Sequence, residues 1–256
     1  AFGKMVHTLV SFERRLPMTR LTRIAPTPSG FLHVGNLVNF KLVELVAREL
    51  NLDILLRIDD ADAGRQREQY TEDIYRVCDF FGYPITRTAT SQLERTDIYW
   101  QAVVDLSNAG APIFVCTCSR TQMPNRICER NCNGSLADFT SGQDRVRLHL
   151  DGEDVTLWGL EHPSYHLVST VDDRDYGVTH VVRGLDLAPS TQIHTMLDAY
   201  LGHSVLYAHH EILVDAQGNK LSKSQGTQRL ALDDELRKTV QTHAERLLPS
   251  VLTQFA

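Results

Sequence analysis

The sequence predicts an α/β fold in which a parallel sheet is flanked by helices. Apolar runs of strand length alternate with helical segments along most of the chain, and this alternation favours βαβ units. The 256 residues are 42% hydrophobic and 23% charged, ordinary values for a globular protein with a sizeable core. A segment rich in Cys, Arg and Asn, about residues 110–150, breaks the alternation. We therefore expect two halves of one α/β domain separated by a small insertion.

The first half is expected to span residues 20–109. "LTRIAPTPSGFLHVGN" predicts a short strand, a Pro/Ser/Gly turn and a helix start, and the helix continues through "LVNFKLVELVAREL" with apolar residues on one face. "NLDILLRID" is a continuous apolar run, typical of a buried parallel strand. Helical patterns follow within residues 60–82 and 94–110.

The second half is expected to span residues 151–226, after the insertion at 110–150. Regular structure resumes in "SYHLVSTVDD" and "GVTHVVRGLD", followed by a helix at "STQIHTMLDAYLG" and a strand at "HEILVD", residues 210–215. Residues 227–256 are expected to form a short helical segment, and residues 1–19 an N-terminal extension.

Composition limits the classes of partner. The net charge of −6 argues against a protein whose whole surface binds nucleic acid, although a local basic face remains possible. Because no apolar run approaches 18 residues and no signal-peptide pattern is present, we expect no membrane partner. Five cysteines without a secretion signal indicate a reducing compartment, so we expect a cytoplasmic location.

Two short motifs indicate phosphate binding. His33 and Gly35 fall at the predicted start of a helix, where unpaired N–H groups and the helix dipole form an anion site. Alone, this pattern also fits a capped helix with an incidental histidine. "GNKLSKS", residues 218–224, holds two of the five lysines, and such a loop can stabilise charge on a polyphosphate. Alone, that loop also fits a solvated turn; it is not a P-loop, because the Walker A pattern is absent.

Taken together and in this order, the two motifs resemble the signature pair of class I aminoacyl-tRNA synthetases. "TRIAPTPSGFLHVGN", "LLRIDDADAGRQRE" and "YHLVSTVDDRDYGVTHVVRGLDL" are similar to segments of the glutamyl/glutaminyl branch, and the resemblance covers about residues 20–225. It implies a Rossmann-type catalytic domain that activates an amino acid with ATP and Mg²⁺. Within the branch, the chain looks most like the short glutamyl-Q tRNA(Asp) synthetases.

The resemblance implies roles for individual residues. His33 and Lys223 would stabilise the pentavalent phosphorus while the amino acid carboxylate attacks ATP, and Lys220 would be a further phosphate contact. The implied ATP-binding residues are His33, Gly35, Asn36, Lys220, Ser222 and Lys223. The implied glutamate-binding residues are Arg23, Ser29, Asp59, Tyr165 and Arg183.

Four cysteines of the insertion predict a metal site. Cys116, Cys118, Cys128 and Cys132 have the spacing C-x-C, nine residues, C-x₃-C, which suits a tetrahedral structural zinc. A small insertion with few apolar residues also needs a metal to hold it together. Free cysteines, or a site with only three thiolate ligands, are the alternatives. The fifth cysteine, Cys78, lies in a helical pattern and is expected in the core.

The chain also departs from the family pattern. Leu185 stands where the family has an acid after R-G, and only residues 225–256 follow the lysine loop. We therefore expect no anticodon-binding domain. The first hypothesis is glutamate activation and transfer to queuosine of tRNA(Asp) by a monomer. The alternatives are a ligase with another acceptor, such as a different tRNA, a carrier protein or a small molecule, and a non-catalytic paralogue, which Leu185 favours.

Overall fold

The structure is a computed structural model that describes residues 20–62, 64, 66–123, 125–130, 132–213 and 228–256. The first part of the chain alternates strands and helices, as predicted. Its elements are β1 (Leu21–Ile24), α1 (Val34–Leu50), β2 (Asp53–Leu56), α2 (Glu68–Phe81), β3 (Ile85–Arg87) and α3 (Thr96–Asn108).

The remaining elements begin with three antiparallel strands and end with a long helix. They are β4 (Ile113–Cys116), β5 (Arg145–Leu150), β6 (Glu153–Trp158), α4 (Tyr165–Asp175), β7 (His180–Gly184), α5 (Ala188–Tyr200), β8 (Leu206–His210) and α6 (Asp234–Leu252). None of the helices in the described ranges has both the length and the apolarity needed to cross a membrane.

Two parallel sheets form the α/β part. One has the order β1-β2-β3, and the other pairs β7 with β8. The sheets meet at β1, where the Thr179 backbone N–H donates to the Leu21 carbonyl at 2.8 Å and the Leu21 N–H donates to the Thr179 hydroxyl at 3.0 Å. Parallel strands from both halves of the chain are therefore adjacent, which confirms the predicted α/β class with parallel sheets flanked by helices.

Alternate residues of the parallel strands enter different apolar clusters, as the two-residue repeat of a strand requires. Ile54 and Leu56 of β2 pack in a cluster with α1 and α6, whereas Leu55 packs with Val181 in another cluster. Both faces of the sheet are thus covered, which explains why "ILL" is a continuous apolar run rather than an alternating one.

The antiparallel sheet β4-β5-β6 lies between the two parallel sheets in the chain. Residues 110–150 contain β4 and β5, and β6 completes their sheet beyond residue 150. A cluster made by α3, α4 and α5 packs against β5 and β6. The proposed domain boundaries stay a prediction.

The strand predicted at residues 210–215 is wrong in position as far as residue 213, and residues 214 and 215 lie outside the described residues. The strand β8 occupies Leu206–His210, because these five residues pair with the whole of β7, from His180↔Leu206 to Gly184↔His210. Glu211–Leu213 lie beyond that pairing and form neither strand nor helix. The apolar composition of "EILVD" is strand-like, but composition does not specify a hydrogen-bonding partner.

Candidate active site and metal centre

A cleft of about 560 Å³ lies at the carboxyl ends of β1, β7 and β8. In open parallel sheets, ligands bind beyond the carboxyl ends of strands, where neighbouring strands leave a crevice. Of the sequence-predicted ATP and glutamate residues, the cleft is lined by Arg23, Ser29, His33, Gly35, Asn36, Asp59, Tyr165 and Arg183. Lys220, Ser222 and Lys223 lie outside the described residues.

One wall of the cleft is the start of α1. His33 is the N-cap residue in an extended conformation, and its backbone N–H donates to the Asn36 Oδ1 at 3.1 Å. Gly35 lies in the first helical turn, which contains no acidic residue. A helix start without an acidic residue in its first turn favours an anion, because the positive end of the helix dipole is not opposed there. The geometry therefore agrees with phosphate binding beside His33.

The loop before His33 is fixed from outside the cleft. The Leu32 backbone N–H donates to Oδ2 of Asp73 at 3.1 Å, and Asp73, 1% exposed, also pairs with Arg76 at 2.8 Å. This carboxylate on α2 holds the loop that presents His33, and its place in the site was not expected from the sequence.

Two buried arginines reach the cleft with different partners. Arg23, at the end of β1, forms an ion pair with Asp173 at 3.4 Å. Arg183, at the end of β7, is 3% exposed, and no carboxylate of the described residues lies within ion-pair distance of it. Burial lowers the pKa of the Arg183 guanidinium, but arginine stays protonated at neutral pH. Among the residues that the structure describes, Arg183 is therefore a buried cation without a carboxylate partner.

The groups that contact Arg183 directly are neutral. Its Nη2 donates to the Thr191 hydroxyl at 2.5 Å, its Nη1 is 3.3 Å from Nδ1 of His194, and its guanidinium lies 4.7 Å from the Tyr207 ring centre. The Nε atom has no hydrogen-bond partner among the described residues. Tyr165, 42% exposed, is at the rim of the same end of the cleft.

Asp59 is oriented by two buried donors. Its Oδ1 accepts from Arg57 Nε at 2.7 Å and from Gln92 Nε2 at 3.0 Å, whereas its Oδ2 has only a 3.4 Å contact with Arg57 Nη2. Burial raises the pKa of the Asp59 carboxyl, and the charge of Arg57 opposes that rise. Oδ2 is thus the carboxylate oxygen better placed to accept a bond from a ligand.

Asp59 belongs to an ionic network that joins both halves of the chain. Arg57 also donates to Asp173 Oδ1 at 2.6 Å, and Gln92 also donates to Asp172 Oδ2 at 2.8 Å. Arg95 and Tyr99 donate to the other oxygen of Asp172 at 2.9 and 3.0 Å. Every carboxylate oxygen of Asp59 and Asp172 has a partner in this network, whereas Asp173 Oδ2 has none among the described residues.

Several residues of the site were missed from the sequence. They are Arg57, Asp73, Gln92, Asp172, Asp173, Asp186 and His194. A signal existed for the acidic pair, since "LVSTVDD" places two carboxylates beside the apolar residues Leu167, Val168 and Val171 of α4, and a buried carboxylate requires a cation. A second signal lay beside Leu185, which is 54% exposed; the next residue, Asp186, lines the cleft and supplies an acid one position later than expected.

The four cysteines of the insertion come together. All four Sγ atoms lie within 4.8 Å of one another, and Cys118 Sγ is 3.7 Å from Cys128 Sγ and 3.9 Å from Cys132 Sγ. Tetrahedral zinc with Zn–S bonds of about 2.3 Å requires sulfur separations of about 3.8 Å. The thiol set therefore fits zinc in ligand type, number and spacing. Cys78 lies apart in the core, as expected.

Two polar residues of the neighbouring strands support the cysteine cluster. Asp154 of β6 accepts the Cys128 backbone N–H at 2.5 Å. Arg147 of β5, 5% exposed, donates to the Cys118 carbonyl at 2.9 Å and to the Thr156 hydroxyl at 2.7 Å. A buried arginine beside four thiols is suited to balance thiolate charge, which favours a metal-binding state.

The solved structures show the same fold. The glutamate-tRNA synthetase of Elizabethkingia anophelis superposes with a TM-score of 0.69 at 22% identity, over 81% of this chain and 53% of that one. A glutamate tRNA ligase from Elizabethkingia meningosepticum, solved in complex with its amino acid, gives 0.67 at 20% identity.

Sequence comparison gives the family. Glutamate--tRNA ligase 2 of Ruegeria sp. is 32% identical over 83% of this chain, which spans 56% of that ligase. The glutamyl-Q tRNA(Asp) synthetase of Methylococcus capsulatus is 32% identical over 80% of this chain and 76% of its own length. The family model for class I tRNA synthetases (E and Q), catalytic domain, matches residues 20–158 and 134–242. The sequence matches agree with the cleft and the parallel sheets described above. The chain therefore belongs to the class I tRNA synthetases for glutamate and glutamine and contains their catalytic domain.

Proposed function

We propose that this protein activates glutamate with ATP and transfers it to an acceptor. The observation that carries the proposal is Arg183, a buried guanidinium without a carboxylate partner among the described residues, which lines the same cleft as His33. An isolated buried cation is costly, and the cost is offset when a ligand supplies the anion. The side-chain carboxylate of glutamate is such an anion.

The cleft provides a place for each part of the reactants. The start of α1, with His33 and Gly35, faces the ATP phosphates, while Arg23 and Arg183 face the amino acid side chain. Oδ2 of Asp59 accepts from the α-ammonium group, because Oδ1 is occupied by Arg57 and Gln92. Ser29 and Tyr165 line the amino acid end and the rim.

The reaction then follows in-line displacement. An oxygen of the α-carboxylate attacks the α-phosphorus of ATP. The new O–P bond forms as the P–O bond to the pyrophosphate leaving group breaks. His33, with Lys220 and Lys223, stabilises the negative charge of this transition state. Mg²⁺ bound to the phosphates supplies further charge neutralisation when present.

Glutamate rather than glutamine is the proposed substrate. A neutral amide would leave the charge of Arg183 uncompensated in a buried position, whereas a carboxylate satisfies it with two parallel hydrogen bonds. Arg23 has Asp173 beside it, a carboxylate that it shares with Arg57, whereas Arg183 has no carboxylate partner among the described residues, so a side-chain carboxylate of the substrate matches the position of Arg183.

For the acceptor, we propose queuosine of tRNA(Asp). Relatives named glutamyl-Q tRNA(Asp) synthetase, from Methylococcus capsulatus and Synechococcus, are 32% and 33% identical to this chain and support this choice. A monomer acting in the cytoplasm, where the tRNA pool lies, completes the proposal. Another tRNA, a carrier protein or a small molecule is the competing acceptor.

ATP–pyrophosphate exchange with each of the twenty amino acids, with and without tRNA, tests the activation step. We expect exchange with glutamate and little with glutamine. The absence of exchange with every amino acid, even with total tRNA added, would overturn the proposed activity and favour a non-catalytic paralogue.

Transfer of labelled glutamate tests the acceptor separately. The matched substrates are tRNA(Asp) that contains queuosine and the same tRNA from cells unable to make queuosine. We expect label only on the first. Exchange without label on either tRNA would refute the queuosine acceptor and leave the activation proposal standing.

A further inference from the structure

His194 lies behind Arg183 and is completely buried. Its Nδ1 is 3.3 Å from Arg183 Nη1, and its Nε2 is 3.2 Å from Nδ1 of His166. Both histidines are on helices, α5 and α4, that pack against each other. The two histidines therefore link Arg183 to the interface between α4 and α5.

The proton positions in this chain of contacts follow from the donor inventory. A guanidinium can only donate, so Nδ1 of His194 must accept the bond from Arg183. The His194 proton is then on Nε2, where it donates to Nδ1 of His166, and the His166 proton is on its own Nε2. Burial, with Arg183 next, lowers the pKa of His194 to about 2, which is consistent with a neutral ring.

A neutral acceptor has a different effect from a carboxylate. The first arginine of the cleft, Arg23, lies beside a carboxylate of the protein, because it pairs with Asp173 at 3.4 Å and shares that oxygen with Arg57. Arg183 is held by the neutral groups of Thr191 and His194. It is therefore fixed in position but keeps its full charge for a ligand.

We infer that His194 is a positioning residue for the amino acid site. It orients the Arg183 guanidinium towards the cleft without neutralising it, and thereby sets the affinity for an anionic side chain. This inference rests on the proposed use of glutamate. Other titratable groups that act on His194 are His166, Asp173 and Arg23.

Two nearly isosteric variants separate position from charge. In His194→Asn the amide oxygen can replace Nδ1 as a neutral acceptor, whereas His194→Asp places a carboxylate at the same point. We expect the Asn variant to keep the KM for glutamate within about 3-fold. Since close buried charge pairs couple by about 1.5 kcal/mol or more, the Asp variant is expected to raise that KM by at least about 10-fold. The KM for ATP should stay unchanged in both.

Thr195→Asp is the matched control, because it adds the same charge to the exposed face of α5, one residue away. It should leave the KM for glutamate unchanged. Equal KM values for the Asn and Asp variants, with normal exchange by the wild-type protein, would overturn the inference. No exchange by the wild-type protein would instead refute the proposed function.

Nitrogen-15 NMR of the wild-type imidazoles tests the arrangement when a variant fails to fold or glutamate is not the substrate. We expect His194 to be neutral at pH 7 with its proton on Nε2. A protonated Nδ1, or a doubly protonated ring, would contradict the inference independently of any activity.

Discussion

Arg57 Nη1 lies 2.6 Å from Asp173 Oδ1, although the two residues are 116 positions apart in the chain. Arg57 follows β2 in the first half, and Asp173 is in α4 of the second half. Arg57 also orients Asp59 in the cleft. One completely buried guanidinium therefore fixes the two halves to each other and positions a carboxylate of the proposed amino acid site.

Replacement of this guanidinium should destabilise the fold. Arg57→Met leaves Asp59 and Asp173 buried without their main cation, and breaking a buried ion pair from one side costs about 3–5 kcal/mol. We expect the free energy of unfolding, measured by urea denaturation, to fall by about that amount. Arg48→Met is the control, since Arg48 is on the exposed face of α1. Its ion pair with Glu49 is long, at 3.6 Å, and exposed to solvent. Equal stabilities of the two variants would refute the structural role of Arg57.

Removal of the Arg183 cation should affect amino acid binding rather than stability. The substitution Arg183→Gln replaces the guanidinium by a neutral amide and removes the charge that would pair with the glutamate side chain. Truncating one partner of a buried charge pair costs about 2–5 kcal/mol. We expect the KM for glutamate to rise by about 30-fold or more, while the KM for ATP changes little. A parallel loss of affinity for ATP and glutamate would contradict this division of the cleft.

Zinc is expected at the four cysteines. Protein purified without chelator should contain about one zinc ion per chain, measured by mass spectrometry of the metal. Cys128→Ser should lower the zinc content and the thermal midpoint together, because the insertion depends on the metal. Cys78→Ser is the matched control, since Cys78 is in the core of α2, and it should keep the zinc. Zinc well below one per chain in the wild-type protein would refute the four-thiolate site.

Asp198 gives a pH dependence of stability with a defined sign. Burial raises the pKa of this carboxyl from 3.8 to about 7, and one of its oxygens accepts from the Tyr207 hydroxyl at 3.2 Å. Because the unfolded chain loses this proton at lower pH than the folded protein does, Asp198 makes stability fall as pH rises from about 4 to about 7. Above pH 7 the cost is constant.

Asp198→Asn should remove that cost and keep an acceptor for Tyr207. We expect the variant to be more stable than the wild-type protein at pH 8, with the difference vanishing near pH 4, in denaturant titrations across this range. Asp53→Asn, at the exposed first residue of β2, is the control and should show no such trend. A stability difference that is the same at pH 4 and pH 8 would contradict a buried, protonated Asp198.

Local patterns were sufficient for most of the α/β architecture. The helical repeat in residues 37–50 and the apolar run of β2 gave the correct element types, since periodicity and strand length reflect burial directly. The strand placed at 210–215 was wrong, because "EILVD" and "LYAHH" are both strand-like and only pairing with β7 distinguishes them. Which of two such neighbouring segments becomes the strand depends on pairing with a strand that is distant in the sequence.

The same distinction applies to the site. The sequence by itself determined which chemical groups are available: a histidine at a helix start, two arginines at strand ends and four cysteines with zinc spacing. Only the tertiary structure decided their partners. It gave Arg23 a carboxylate and Arg183 a neutral histidine, because α4 and α5, far along the chain from β1, pack behind the cleft. Charge compensation depends on distances in space, which a single sequence does not contain.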